Sequence, residues 1–288
     1  MQLRSLLIRL HLAQGMGYAG MTKVLRYCLK HQTVLTTATE LVAVARLPRP
    51  AAAKFMADWQ SARFDQAVQQ HRALTILTIL DDDYPLTLME SYHPPLVLFL
   101  QGRRELLAAT QLAIVGARQM TPYGRRALNQ LLPPLAERQL VITSGLAAGT
   151  DGYAHQLALQ LNLPTIGVIG TGLDVSYPRV NQGLQQQVRQ FGLLISEYPL
   201  GSRPARHHFP ERNRIIAGLC QTLMVVEARE HSGSLITANL ALQNNRNVIA
   251  VPGPIDAPLS VGCNQLIAAG AKPVLNFRHI IEEFLPII

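Results

Sequence analysis

The sequence predicts an α/β fold: a mostly parallel sheet covered by helices on both faces, preceded by a small all-α segment. Three observations carry this. From about residue 73 onward, β-branched apolar runs alternate with helical segments. The candidate strands are nearly continuous in apolar residues, as strands buried on both faces must be. Apolar residues make up 48% of the 288-residue chain, enough for a sizeable core.

Residues 1–72 lack strand alternation. Leu3, Leu6, Leu7 and Leu10 recur at helical spacing, and Gly15-Met16-Gly17 interrupts them. Further helices are expected from Met21 to Leu29, Thr39 to Arg46 and Ala51 to Gln70, the last following Pro48 and Pro50. The glycine pair reads as a turn between packed helices, with a phosphate-contacting helix-hairpin-helix as the alternative. Trp59, the single tryptophan, reads as a core anchor.

Strands follow at Leu74–Leu80, Leu96–Leu100, Leu112–Gly116, Leu140–Thr143, Thr165–Ile169, Leu193–Ser196, Thr222–Ala228, Asn247–Val251 and Pro273–Leu275. Helices are expected at Tyr123–Arg138, Asp151–Leu161, Asn181–Phe191, Ile215–Cys220, Leu235–Asn245 and Asn264–Ala269. The domain boundary is placed at residues 72/73, giving a helical domain 1–72 and an α/β domain 73–288.

Charge separates the same two parts. The net charge is +8, and residues 1–72 hold ten Lys/Arg against three Asp/Glu, whereas residues 73–288 hold sixteen against fifteen. A positive lobe attracts polyanions; it also serves as a solubilising surface. The cysteines Cys28, Cys220 and Cys263 are odd in number and widely spaced, so neither a disulfide framework nor a cysteine zinc site is indicated, and the expected compartment is a reducing cytoplasm. The N-terminal run is interrupted by Arg4 and Arg9, unlike a signal peptide, and no stretch is long and apolar enough to predict a membrane span.

In a parallel sheet the strand C-termini form one rim, where ligands bind. Four glycine- or serine-rich turns fall there: Val115-Gly116-Ala117-Arg118, Thr143-Ser144-Gly145, Gly170-Thr171-Gly172 and Ser232-Gly233-Ser234. The last opens a helix, whose first N–H groups have no intrahelical partner and suit an anion. Arg212-Asn213-Arg214 reads as a second helix start, where arginines oppose the dipole and therefore suggest anion binding. Arg118, Arg203, Arg206, Arg212 and Arg214 supply guanidinium groups for phosphate, or brace loops against Glu197, Glu211 or Glu227. Tyr123, Tyr177, Tyr198 and Phe209 lie near these turns and are candidates for base stacking or for core packing.

No P-loop, complete dinucleotide fingerprint or nucleophile elbow occurs. Asp151 and His155 lie four apart on a predicted helix without a third ligand, and His207-His208 reads as a polar loop, so no metal site is predicted.

The ordered motifs Ile114–Arg118, Ser144–Asp151, Gly170–Asp174, Tyr177-Pro178, Ser196–Pro199, Phe209–Leu219, Ser232–Ala238, Val251–Gly253 and Asn264–Ile267 resemble the DprA/Smf family of DNA-processing proteins over about residues 74–276. The resemblance implies an extended Rossmann-like domain that binds single-stranded DNA. Family members protect incoming strands during natural transformation and load the recombinase RecA, commonly as homodimers, and displace the hold of single-strand-binding protein. It implies a SAM-like helical domain over residues 1–72, no catalytic residue and no cofactor. Many relatives add a C-terminal winged-helix-like domain; the chain ends about a dozen residues after the match, so none is expected here.

The expected DNA- and phosphate-binding residues are Arg118, Gly116, Ser144, Gly145, Gly149, Thr150, Gly170, Gly172, Arg212, Asn213, Arg214, Ser232, Gly233 and Ser234. Arg118 matches the arginine that ends the family's Gly-Ser-Arg, here Gly116-Ala117-Arg118. The family's second basic position, in Ser-Gly-Leu-Ala-Lys/Arg-Gly-Ile-Asp, is Ala148 here, which removes a charge. The excess in residues 1–72 is a candidate compensation; if so, deleting it flattens the salt dependence of binding. The alternative is a Rossmann-like enzyme cleaving nucleoside monophosphates, with Glu227 and Arg229 the nearest candidates, although the Gly-Gly-x-Gly-Thr loop of such enzymes is absent.

Overall fold

A computed structural model describes residues 2–138 and 140–284. The chain forms two compact units. One comprises residues up to Tyr84 together with Pro95–Phe99; the other comprises Pro85–Pro94 and the chain from Leu100 onward.

The first unit contains helices α1 (Leu3–Leu12), α2 (Tyr18–His31), α3 (Ala38–Ala45), α4 (Arg49–Trp59) and α5 (Ala62–His71), then strand β1 (Thr75–Thr78). The leucine spacing of α1 works as expected: Leu6, Leu7 and Leu10 are buried. Gly15 takes φ +83°, and a Cβ there would lie 2.5 Å from the Ala51 carbonyl, so the glycine turn is a packing requirement. The single helix expected over Ala51–Gln70 is two. Ser61 ends the first and caps the second, its hydroxyl accepting from the Phe64 N–H at 3.2 Å. Trp59 is half-buried rather than fully enclosed, stacked on Phe64 at 4.9 Å with the Arg9 guanidinium over its ring at 5.0 Å.

Strand β2 (Val97–Gly102) carries the chain from the first unit into the second. The second unit also contains α6 (Leu86–Met89), β3 (Gln111–Val115), α7 (Pro122–Leu131), β4 (Val141–Ser144), α8 (Thr150–Gln160) and β5 (Thr165–Ile169). After these come α9 (Gln182–Phe191), β6 (Leu193–Ser196), α10 (His208–Leu219), β7 (Thr222–Val225), α11 (Gly233–Gln243), β8 (Asn247–Ala250), α12 (Val261–Ala268), β9 (Lys272–Pro273) and α13 (Phe277–Ile281). All nine expected strands exist, and the α/β fold holds. From β3 to β9 the strand order is β6-β5-β4-β3-β7-β8-β9, and the neighbouring pairs are parallel. Strands β3 to β7 are buried along their whole length, as a sheet sandwiched by helices requires.

The order reverses between β3 and β7. The chain builds outward from β3 through β4, β5 and β6, then returns to β3's other side with β7. Such a switch point opens a crevice above the strand C-termini. On one face Leu128, Leu131, Leu132 and Leu135 pack with Leu157, Ala158, Ile142 and Ile280 into one apolar cluster.

Two more helix expectations are corrected. The helix expected over Tyr123–Arg138 ends at Leu131, because Pro133 and Pro134 have no N–H to continue it; a 3₁₀ turn follows. The helix expected from Ile215 begins at His208. Arg212, Asn213 and Arg214 therefore sit inside α10, not in its first turn, and the dipole argument for them lapses.

Candidate nucleic-acid interface

Four loops rise from the strand C-termini around the switch point: Gly116–Met120 after β3, Gly145–Gly149 after β4, Gly170–Pro178 after β5 and Val226–Ser232 after β7. Glycines pack them against one another. A Cβ on Gly116 would lie 2.5 Å from the Thr150 hydroxyl, and one on Gly149, at φ +78°, would lie 2.3 Å from the Ala117 carbonyl. Thr150 clamps the same pair of loops, its N–H and Oγ1 both donating to the Ala117 carbonyl at 3.1 and 3.2 Å. Ser234, in the first turn of α11, donates to the Gly116 carbonyl at 2.8 Å.

These loops enclose a cleft of about 460 Å³ lined by Gly116, Arg118, Arg212, Asn213, Arg229, Ser232, Gly233 and Ser234, with Phe209, Asp151, Thr237 and Leu259. A smaller recess of about 70 Å³ shares Arg118, Phe209 and Arg212 with it, and adds Gly145, Ala148, Gly170 and Tyr177. Of the expected residues, these openings gather Gly116, Arg118, Gly145, Gly170, Arg212, Asn213, Ser232, Gly233 and Ser234. Ser144, Gly149, Thr150, Gly172 and Arg214 line neither. Ser144 is fully buried and donates to the Ile114 carbonyl at 2.5 Å. The Gly172 N–H is spent on the Ser202 carbonyl at 3.0 Å.

The arginines fall into two kinds. Arg212 is buried, its guanidinium donating to the carbonyls of Gly145 and Val168 and, at 3.1 Å, to Asn213 Oδ1. Burial pulls it down to about 10, against the favourable Asp151 charge and with the Arg118 charge adding to the effect, so it remains protonated at neutral pH. Asp151, in the first turn of α8, is buried too and accepts from the Gly145 N–H at 3.2 Å. Burial raises its carboxyl, opposed first by Arg212 and then by the Gly145 N–H and Arg118. Arg214 is half-buried and ion-paired with Glu197. By contrast Arg118 and Arg229 are exposed at the cleft. The Arg118 guanidinium lies 5.5 Å from the centre of the Phe209 ring.

Two of the four candidate aromatics meet at the recess: the Tyr177 and Phe209 rings are 5.4 Å apart, and Tyr177 is exposed. The other two are structural. Tyr198 donates to Glu211 at 2.7 Å and stacks on His208 at 3.9 Å, and Tyr123 donates to the Pro252 carbonyl. Glu227 does not pair with a rim arginine. It is buried and accepts from the N–H and hydroxyl of Thr121, the N-cap of α7. His155 is buried, bonded to Thr165 Oγ1 at 2.7 Å, and held by burial down to about 3, hence neutral. No cluster of His, Cys, Asp or Glu among the described residues could hold a metal. The three cysteines are buried and free. No helix among the described residues is long and apolar enough to cross a membrane.

Sequence reading overlooked Asp151 as Arg212's counter-charge and Arg229 as an exposed rim cation. The signal for Asp151 was present in Ser144–Asp151, where an acid closes a glycine-rich turn. Leu259 was also missed; it follows the Val251-Pro252-Gly253 motif by a short loop.

The DNA recombination-mediator protein A family matches residues 75–285. The chain belongs to that family. It is 47% identical over 207 residues to the DNA processing protein DprA of Streptococcus pneumoniae, covering 72% of this chain and 73% of that one. It is 40% identical over 218 residues to the DNA processing protein DprA of Bacillus subtilis, covering 75% and 73%. Among solved structures, DprA of S. pneumoniae superposes with a TM-score of 0.90 at 38% identity, covering 98% of both chains. DprA of Helicobacter pylori, described for its single-stranded DNA binding mode, superposes with a TM-score of 0.66 at 30% identity, covering 74% of this chain and 96% of that one. Family membership makes this chain one of the DNA-processing, recombination-mediator proteins.

Proposed function

We propose that this chain binds single-stranded DNA along the switch-point rim and hands it to a RecA-type recombinase. The observation that carries the reading is the cleft itself. It is lined by two exposed arginines, Arg118 and Arg229, and by the first turn of α11, and the Arg118 guanidinium lies over the Phe209 ring. Exposed arginines neutralise phosphates, and the Gly233-Ser234-Leu235 N–H groups, without intrahelical acceptors, suit phosphate oxygens. Tyr177 and Phe209 offer faces for bases. Contacts of this kind carry little base information, so binding is tolerant of sequence. The single-stranded DNA binding described for the H. pylori relative supports the same assignment.

The chain acts in this reading as a mediator and not as an enzyme, during natural transformation, in the cytoplasm, as a homodimer, and it competes with single-strand-binding protein for the strand. Glu227, the acid that a nucleotide-cleaving enzyme would use, is instead occupied at the N-cap of α7. The test is anisotropy titration with single- and double-stranded oligonucleotides. Single strands should bind tighter, and Arg118→Ala should weaken them equally across sequences. Equal affinity for both forms, or wild-type binding by Arg118→Ala, would reject the rim as the site.

A further inference from the structure

Helix α2 carries no acidic residue, and its buried positions are Gly20, Met21, Val24, Leu25 and Cys28. The positions between them, Lys23, Arg26, Tyr27, Lys30 and His31, are all exposed. Their spacing of i, i+3, i+4, i+7 and i+8 puts them on one helical stripe, and Lys23 to Lys30 spans about 10 Å of axis. Within the stripe the rings of Tyr27 and His31 lie 4.4 Å apart. Lys23 Nζ donates to the Ala45 carbonyl at 3.1 Å, anchoring the stripe beside the C-terminal end of α3, where exposed Arg46 adds a further cation.

None of Lys23, Arg26 and Lys30 forms an ion pair among the described residues. Of the three acids in residues 1–72, Glu40 closes the capping box of α3 with Thr37, Asp58 pairs with Arg63, and Asp65 sits in the first turn of α5. An ordinary solvated helix face mixes both signs of charge. This one offers cations only, with an aromatic pair exposed among them, and that combination fits a nucleic-acid strand better than an acidic protein: cations for phosphates, ring faces for bases.

We propose that the α2 stripe is a second single-strand binding surface, in the first unit and separate from the rim. The proposal rests on the rim reading only in that both take single-stranded DNA. It also names the residues through which the basic first unit would make up for Ala148.

The experiment uses the full chain and a fluorescent oligothymidine, titrated over a range of salt. The triple variant Lys23→Ala, Arg26→Ala, Lys30→Ala should lower the slope of log affinity against log salt by about two, because each single-strand phosphate contact contributes roughly 0.7. Tyr27→Ala, with all cations kept, should weaken the normal oligonucleotide about tenfold and an abasic one of equal length far less. All variants should remain folded, and the triple variant, which also loses the Lys23 Nζ bond to the Ala45 carbonyl, should melt slightly below wild type. An unchanged slope in the triple variant, with binding still lost in Arg118→Ala, overturns this proposal and leaves the rim intact. No single-strand binding by the intact chain overturns both. If polyglutamate of matching charge competes as well as unlabelled oligonucleotide, and Tyr27→Ala changes nothing, the stripe docks an acidic protein and the proposal fails.

Discussion

The cleft has two walls that look alike in sequence and differ in physics. One is the Gly116–Met120 loop with Arg118; the other is α10, whose Arg212 lines the cleft while its Arg214 lies outside it. Both carry arginines beside glycine-rich turns. On the first wall the guanidinium is exposed, over an aromatic ring. On the second the guanidinium groups are turned inward, one onto two carbonyls near a buried carboxyl and one onto Glu197. A buried arginine cannot give up its protein partners to a passing phosphate without leaving them unsatisfied, whereas an exposed one exchanges only water. The inward wall therefore holds the shape of the cleft, and the outward wall supplies its charge.

The largest expected effect breaks the inward wall. Arg212→Met leaves the Gly145 and Val168 carbonyls unpaired and removes the charge that opposes Asp151's burial. It should cost about 3–5 kcal/mol in urea unfolding. A loss below about 1 kcal/mol would mean that α10 does not brace the loops. Next is His155, fully buried beneath the loops in α8. Its folded value of about 3 lies below the ordinary 6.5, so the unfolded chain takes up a proton first as the pH drops. Its contribution is thus complete above about pH 6.5 and is lost as pH falls toward 3, at about 1.4 kcal/mol per pH unit. His155→Leu should flatten that part of a pH series of urea melts. A series as steep as wild type would place the acid sensitivity elsewhere.

Arg214 is less enclosed, so its effect should be smaller. Arg214→Ala should cost about 1–2 kcal/mol, and a double-mutant cycle with Glu197→Gln should recover most of it as coupling between the two. Strictly additive losses would show that the pair is incidental. Arg118→Ala, on the outward wall, should leave stability within about 0.5 kcal/mol of wild type while weakening single-strand binding.

The sheet was legible because each strand is a short apolar run and each helix shows its period locally. All the rim turns were legible for the same reason: glycine and serine sit where a strand must hand over to a helix. What could not be read locally was which way an arginine points. Arg212 reaches the Gly145 carbonyl 67 residues away, a contact set by the sheet order and not by its neighbours in sequence. The start of α10 was hidden because Phe209-Pro210-Glu211-Arg212 has polar and proline residues but no apolar period, although Pro is acceptable in a first turn. Glu227 was misread for a related reason. Its partner, Thr121, lies on a loop from another strand, and only the parallel pairing of β3 with β7 brings the two together.

Ala148 allows the distinction between walls to be tested by addition instead of loss. It is half-buried at the recess that also contains Arg118, Gly145 and Gly170. The DprA/Smf resemblance implies a basic residue at this position. A lysine at this half-buried position would share the recess with Arg118, so it should behave as an outward-wall cation. Ala148→Lys should change stability by no more than about 0.5 kcal/mol and steepen the single-strand salt slope by about 0.7, one phosphate's worth. An unchanged slope with a tighter fold would mean that the new cation turned inward onto Asp151. The recess would then belong with the inward wall, and Arg118 and Arg229 would carry the rim's charge without it.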